Sequence, residues 1–188
     1  PIISYFIFSK KIHWSVWPAV LVCLIGGLLL SELKNISVRL GDSLGILSAF
    51  CWGIHIILIR KTIDIFNYPI TIAMSQCFIG CLILILPMYL FEAPTWSNIL
   101  KESYEILYVG ILSSALAFLL QTYSLQNISP APAAIIFSLE GVVAAILAWL
   151  ILDQFLNEIK ILGIFLILSA VIFSQLMPIY DKKRYGRN

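Results

Sequence analysis

Residues 70–91 read ITIAMSQCFIGCLILILPMYLF and residues 133–152 read AAIIFSLEGVVAAILAWLIL. The first run holds no charged side chain and the second holds only Glu140. A helix needs about 20 apolar residues to cross the hydrocarbon core of a bilayer. Of 188 residues, 61% are hydrophobic and 12% charged, against about 45–50% and about 25% in a soluble domain. The sequence is that of an integral membrane protein.

Hydropathy sets six complete spans, at 15–32, 43–60, 68–91, 104–126, 131–152 and 158–179. Only helices and closed barrels satisfy a backbone in lipid. No segment alternates at the short period of a barrel strand. The expected fold is an all-α, multi-spanning helical bundle. The opening PIISYFIFSKKIHW has no basic start and no small-residue cleavage site, so it reads as the end of a helix rather than as a signal peptide.

Charge collects in the connections. One side gathers Lys10, Lys11, Arg60, Lys61, Lys182, Lys183, Arg184 and Arg187; the other has Lys34, Arg39, Lys101 and Lys160. The excess of Lys and Arg places the first side, and with it the C-terminus, in the cytoplasm, across a plasma or inner membrane. The tail at 180–188 reads as a topology anchor, with contact to lipid headgroups as the alternative. Cys23, Cys51, Cys77 and Cys81 all lie in apolar runs, which argues against a disulfide framework. Cys77 and Cys81 share a helix face at i,i+4, a spacing two metal ligands also use, but buried thiols are the simpler expectation. No metal or other cofactor is expected, and nothing points to nucleic acid.

Sliding YFIFSKKIHWSVWPAVLVCLIGGLLLS onto WLILDQFLNEIKILGIFLILSAVIFSQ, an offset of 144 without a gap, superposes the apolar runs. Tyr5 meets Trp149, Ala19 meets Gly163 and Gly26 meets Ala170. An odd number of spans separates the paired helices, so the copies point in opposite directions. The basic loop at Lys10 and Lys11 then corresponds to an acidic one at Asp153–Glu158, the charge signature of an inverted repeat. On this arithmetic the chain is the end of a helix plus the last six of ten helices, with three spans and most of a fourth upstream.

The stretches GDSLGILSAFCWGIHIILIRK (41–61) and YVGILSSALAFLLQTYSLQNISPAPAAIIFSLEGVVAAILAWLILDQFLNEIKILGIFLILSAVIF (108–173) resemble the EamA-type carriers of the drug/metabolite transporter superfamily. The first is similar to that family's GD-x-L-x-x-LSA-x-x-W opening. The resemblance implies two inverted five-helix repeats. Residues 1–32 would be the tail of the first, with the end of helix 4 and helix 5. Residues 43–179 would be the second, helices 6–10, and 180–188 a basic cytoplasmic tail. Such carriers export or import small metabolites, amino acids or amphiphilic compounds, efflux included. The family often has Glu-Pro where this chain has Glu140-Gly141, so a weaker helix break is expected there. It often has Gly-Glu where this chain has Asp153-Gln154.

A carrier needs polar and aromatic side chains around a solvated cavity, able to exchange for a substrate's water. Gly45, Ser48, Trp52 and His55 recur on one face of the second span, opposite Ile46, Phe50, Ile54 and Ile57, which suit lipid. Close packing suits Gly45 and Ser48; cavity lining suits Trp52 and His55. Gln76, Ser114, Gln121 and Tyr123 add polar groups, though intramembrane amides also serve as interhelical glue. Phe137 and Glu140 complete the substrate-binding candidates.

Glu140 lies about ten residues into its span, near the midplane, where a charged side chain costs at least about 2.5 kcal/mol. Ala134, Ser138, Gly141, Ala145 and Ala148 form a small-residue stripe beside it. A structural reading has the neutral acid bonding a helix backbone. The functional readings are proton coupling, shared with His55, or a counter-ion for a substrate ammonium.

The leading expectation is a secondary transporter working by alternating access, with a small-molecule substrate and membrane lipid as partners; substrate, transport direction and oligomeric state stay open. The alternative is a lipid or amphiphile flippase, or a noncatalytic membrane assembly subunit. No Walker-type loop suggests a pump. An enzyme is not expected, since His13 and His55 are isolated and no paired carboxylates recur at helical spacing within a span.

Overall fold

The computed structural model of the protein describes residues 1–6, 12–31 and 40–185. Lys10, Lys11, Lys34, Arg39 and Arg187 of the charge count lie outside the described residues. Every regular element among the described residues is helical. Among the described residues five stretches are long and apolar enough to cross a bilayer: Ser43–Phe66, Pro69–Glu92, Ser103–Asn127, Pro130–Leu152 and Glu158–Arg184. The span expected at 15–32 is represented by a shorter apolar helix, Val16–Leu30. The protein is an integral membrane protein, all-helical among the described residues. Its helices carry apolar side chains outward; Phe78, Ile83 and Leu90 are each about two-thirds exposed, which suits lipid or neighbouring helices rather than water.

The chain forms two compact units, one of Pro1–Ile56 with Ser129–Asn188 and one of Ile57–Ile128. The first contains α1 (Ile2–Phe6), α2 (Val16–Leu30), the start of α3 (Leu40–Phe66), α8 (Pro130–Phe137), α9 (Leu139–Leu152) and α10 (Glu158–Tyr185). Helices α2 and α10 pack antiparallel along their length. Gly26 meets Gly163 near the start of α10, while the Trp14 ring lies edge-on to Phe173 further along it. Without a hydrophobic force between helices in lipid, close packing of small residues holds them together. Val16, Ala19, Ala131, Ile135 and Ala170 make a buried cluster where α2, α8 and α10 meet.

The span Pro130–Leu152 carries a one-residue turn at Ser138, between α8 and α9, where the backbone stays in the right-handed helical region (φ −63°, ψ −15°) and the Ser138 N–H bonds the Ile135 carbonyl. Sequence comparison led to a weakened break at Glu140-Gly141; the turn instead falls two residues earlier. Ser138 is itself the local cause, since its hydroxyl donates to the Ile135 carbonyl (2.5 Å) and accepts from the Cys23 thiol of α2 (3.0 Å). A side chain that bonds the preceding turn competes with the helix ladder. Helix α9 ends on Asp153 in the left-handed conformation, φ 50°. Helix α10 starts from Asn157, whose side-chain oxygen accepts from the Lys160 N–H (2.8 Å). Its last turn carries Lys182, Lys183 and Arg184, complementary to the helix dipole.

The second unit contains the rest of α3, α4 (Pro69–Pro87), α5 (Trp96–Lys101), α6 (Ser103–Leu107) and α7 (Ala117–Asn127). Pro69 opens α4, where its missing N–H costs nothing. Pro87 near its end is followed by a π-helical turn, Met88–Glu92, because proline removes a ladder bond. A longer π-helical segment, Tyr108–Leu116, leads into α7. Helices α4 and α7 pack against each other.

Several local expectations change. Helix α3 continues to Phe66 rather than ending near residue 60. Arg60 can sit within it because its guanidinium donates to the carbonyls of Leu125 and Gln126 and pairs with Asp64 at 3.0 Å. Ile57, read as lipid-facing, is buried, as are Ile56, Ile59 and Ile63. Gly45 and Ser48 are exposed, and no described atom lies within 4 Å of a Cβ built on Gly45. Cys51 and Cys81, read as buried, are exposed.

Candidate functional site

In the first unit, α3 brings Trp52 and His55 together: their rings stack with centroids 5.5 Å apart and planes 29° apart. Residues three apart on a helix share a face, and an indole over an imidazole gives a flat, partly polar surface. Trp52 is exposed and His55 half-buried.

Phe137 and Glu140 flank the turn at Ser138. Phe137 is the last residue of α8 and half-buried; Glu140 stands in the first turn of α9 and is exposed. Glu140 makes no ion pair or hydrogen bond among the described residues. Helix α2 braces the turn at Ser138, through the Cys23–Ser138 bond and through Leu30, which a Cβ on Gly141 would meet at 3.8 Å. The small-residue stripe thus admits α2 at Ser138 and Gly141.

In the second unit, Gln76 on α4 donates to the Thr122 hydroxyl on α7 at 3.2 Å. Gln121 precedes Thr122 and is buried, whereas Tyr123 is 42% exposed. Ser114 is half-buried within the π-helical segment that leads into α7. Segments of this kind disturb the regular ladder and recur at functional sites. A shallow hollow lined by Tyr104, Glu105, Tyr108 and Val109 includes none of the candidate residues.

The candidates therefore fall into a stacked Trp–His pair and a carboxylate just past the turn at Ser138 in one unit, and an amide–hydroxyl cluster in the other. Each is a polar feature within an apolar span, and no group of three or more possible metal ligands occurs among the described residues. Compared with known sequences, residues 39–176 match the model of the EamA-like transporter family. The chain belongs to that family.

A protein of Clostridium kluyveri, named as an uncharacterised transporter, is 25% identical over 178 residues, which cover 90% of this chain and 57% of that protein. One of Archaeoglobus fulgidus with the same name is 28% identical over 176 residues, 94% of this chain and 56% of that protein. A permease-like protein of Bacillus subtilis is 35% identical over 66 residues, 35% of this chain and 85% of its own. The chain spans somewhat over half the length of the first two. No solved structure matches.

Other polar groups of this EamA-like chain escaped the sequence reading. His13 is not isolated: its Nε2 lies 3.2 Å from Asp181 on α10, and its Nδ1 is 2.8 Å from the Ser15 hydroxyl. The Trp14 indole N–H donates to the same Asp181 oxygen at 2.9 Å. Thr122, fully buried, was also missed. Threonine inside a helix commonly bonds its own backbone, and only the tertiary contact with Gln76 marks this one.

Proposed function

We propose that this chain is part of a secondary transporter that moves small metabolites, amino acids or amphiphilic compounds across the membrane by alternating access. The observation that carries the reading is the turn at Ser138 within the Pro130–Leu152 span, with Glu140 two residues on, exposed and without an ion-pair partner among the described residues. A carboxylate at such a position can take up a proton on one side and release it on the other. Glu140 is the coupling group in this proposal, with His55 as the second titratable candidate and Trp52, Gln76, Ser114, Gln121, Tyr123 and Phe137 as substrate contacts.

The antiparallel crossing of α2 and α10 supports two inverted repeats of five helices. Under the offset of 144, Gly26 corresponds to Ala170 and Ala19 to Gly163. Gly26 contacts Gly163, and Ala19 shares a buried cluster with Ala170. A two-fold operation that exchanges the repeats maps the first contact onto the second, as a self-complementary interface requires. The proposal places the C-terminus in the cytoplasm.

The test is counterflow by the full-length protein in proteoliposomes, with labelled amino acids, amines and nucleosides. Accumulation of one class supports a carrier and names its substrate. Silence across the panel from folded protein would favour a flippase for amphiphiles.

A further inference from the structure

Two glutamines and a threonine in the second unit hold more hydrogen-bonding capacity than they use. Thr122, fully buried on α7, donates its hydroxyl proton to the Phe118 carbonyl (2.7 Å) and accepts from Gln76 Nε2 (3.2 Å). That leaves Gln76 Oε1 buried without a donor among the described residues. Turning the Gln76 amide over would not help, because the Thr122 proton is already committed. Gln121, next along α7 and only 8% exposed, has a buried Nε2 without an acceptor among the described residues.

Glutamines that serve only as glue would spend these atoms on each other or on a backbone. A buried amide left idle is destabilising. Gln76 lies seven residues into α4 and Gln121 six residues before the end of α7, so both are about 10 Å inside the same end of the helix pair. That end is closed by the Gln126–Asn67 hydrogen bond. The neighbouring cation, Arg60, is committed to Leu125, Gln126 and Asp64. One acceptor and one donor, each without a partner among the described residues, therefore stand at matching depth in the helix pair.

We infer that Gln76, Gln121 and Thr122 form a binding site for an uncharged group that donates and accepts along one edge, such as an imide, a carboxamide or paired hydroxyls. Its donor satisfies Gln76 Oε1 and its acceptor satisfies Gln121 Nε2. With the Gln121 nitrogen turned inward, as in the structure, a carboxylate would face the Gln76 oxygen with nothing to donate and an ammonium would leave that nitrogen without an acceptor. The inference rests on the transporter reading and deepens it, by making the solute neutral at this end.

The experiment follows thermal unfolding of the purified full-length protein, with uridine, nicotinamide and myo-inositol as neutral probes and glutamate and lysine as charged ones. At least one neutral probe is expected to raise the midpoint of the wild type by a few degrees, with no shift from glutamate or lysine. Gln121→Leu without ligand is expected to unfold about 2–4 °C above wild type, since an idle buried donor has been removed, and to lose the probe's shift. Gln76→Leu is expected to lose the shift as well. A midpoint for Gln121→Leu below wild type would make the amide interhelical glue and overturn the inference. So would a shift surviving in both variants, a shift from only the charged probes, or none from any neutral probe. Because the readout is unfolding, a protein that fails counterflow but keeps the neutral-probe shift would sink the transporter reading and leave the site standing.

Discussion

Gly26 and Gly163 meet backbone to backbone where α2 crosses α10. A Cβ on Gly26 would lie 2.8 Å from the Gly163 carbonyl oxygen, and one on Gly163 would lie 2.7 Å from that of Gly26. Backbone cannot swing aside as a flexible side chain can, so any substitution must push the helices apart. Gly26→Val and Gly163→Val are each expected to destabilise the protein by about 1–3 kcal/mol, the usual range for overpacking. Gly141→Ala, whose new methyl meets only Leu30 at an ordinary 3.8 Å, should be neutral or slightly stabilising. Unfolding midpoints in one detergent separate the cases, and equal losses for all three would mean that the crossing is not tight.

Arg60 joins the end of α7 to α3 through the carbonyls of Leu125 and Gln126. Those carbonyls lie in the last turn of α7, where the ladder leaves oxygens unsatisfied. Arg60→Met should cost about 1.5–3 kcal/mol, the range for hydrogen bonds to a charged group. Arg60→Lys should recover part of this, since an ammonium lacks the planar fork. Asp64→Asn removes only a partly exposed i,i+4 partner and should cost about 0.3–0.5 kcal/mol. Chemical or thermal unfolding of the three variants tests the order; a larger loss for Asp64→Asn than for Arg60→Met would reverse the assignment.

These two sites also mark what the sequence could and could not reveal. Helicity and the membrane spans follow from charge-free runs such as 70–91, because lipid leaves a backbone few options. The offset that set Ala19 against Gly163 and Gly26 against Ala170 picked out the residues of the α2–α10 crossing, yet which glycine touches which is a tertiary fact. Arg60 looked like a loop cation because hydropathy counts its charge and cannot see carbonyls 65 residues away. That Trp52 and His55 share a face was legible from their spacing; that their rings stack is a tertiary fact. The idle ends of Gln76 and Gln121 were not, since they depend on where Thr122 spends its proton.

Asp153 holds φ at 50°, the left-handed region that glycine adopts without cost. Asp153→Gly is expected to stabilise the end of α9 by about 1 kcal/mol, the lower part of the penalty an L-residue pays there. A higher unfolding midpoint would agree; a lower one would mean that the carboxylate has a compensating partner.

The turn at Ser138 predicts where proline is welcome. Gly141 is the third residue of α9, in the first turn after Ser138, and the first turn is where a helix tolerates proline best. Gly141→Pro should therefore unfold within about 1 kcal/mol of wild type, whereas Val143→Pro, inside the helix, should lose about 3 kcal/mol or more. If both prolines were equally damaging, the span would have to be a continuous helix, and the turn on which the coupling proposal rests would disappear.

The same turn gives Glu140 its sharpest test. The side chain is exposed, has no described ion-pair partner and lies in the first turn of α9, so it contributes little to packing. Glu140→Gln keeps its size and its hydrogen-bonding oxygen and removes only the ability to exchange a proton. Expression and unfolding midpoint should be close to wild type, and counterflow, which needs no driving ion, should persist. Accumulation driven by an imposed pH gradient should fall to the level seen without a gradient. A variant that still follows the gradient would move the coupling role away from Glu140, with His55 as the next residue to substitute. A variant that loses counterflow as well would make the carboxylate a substrate contact, because exchange without net flux bypasses the proton but not the binding step.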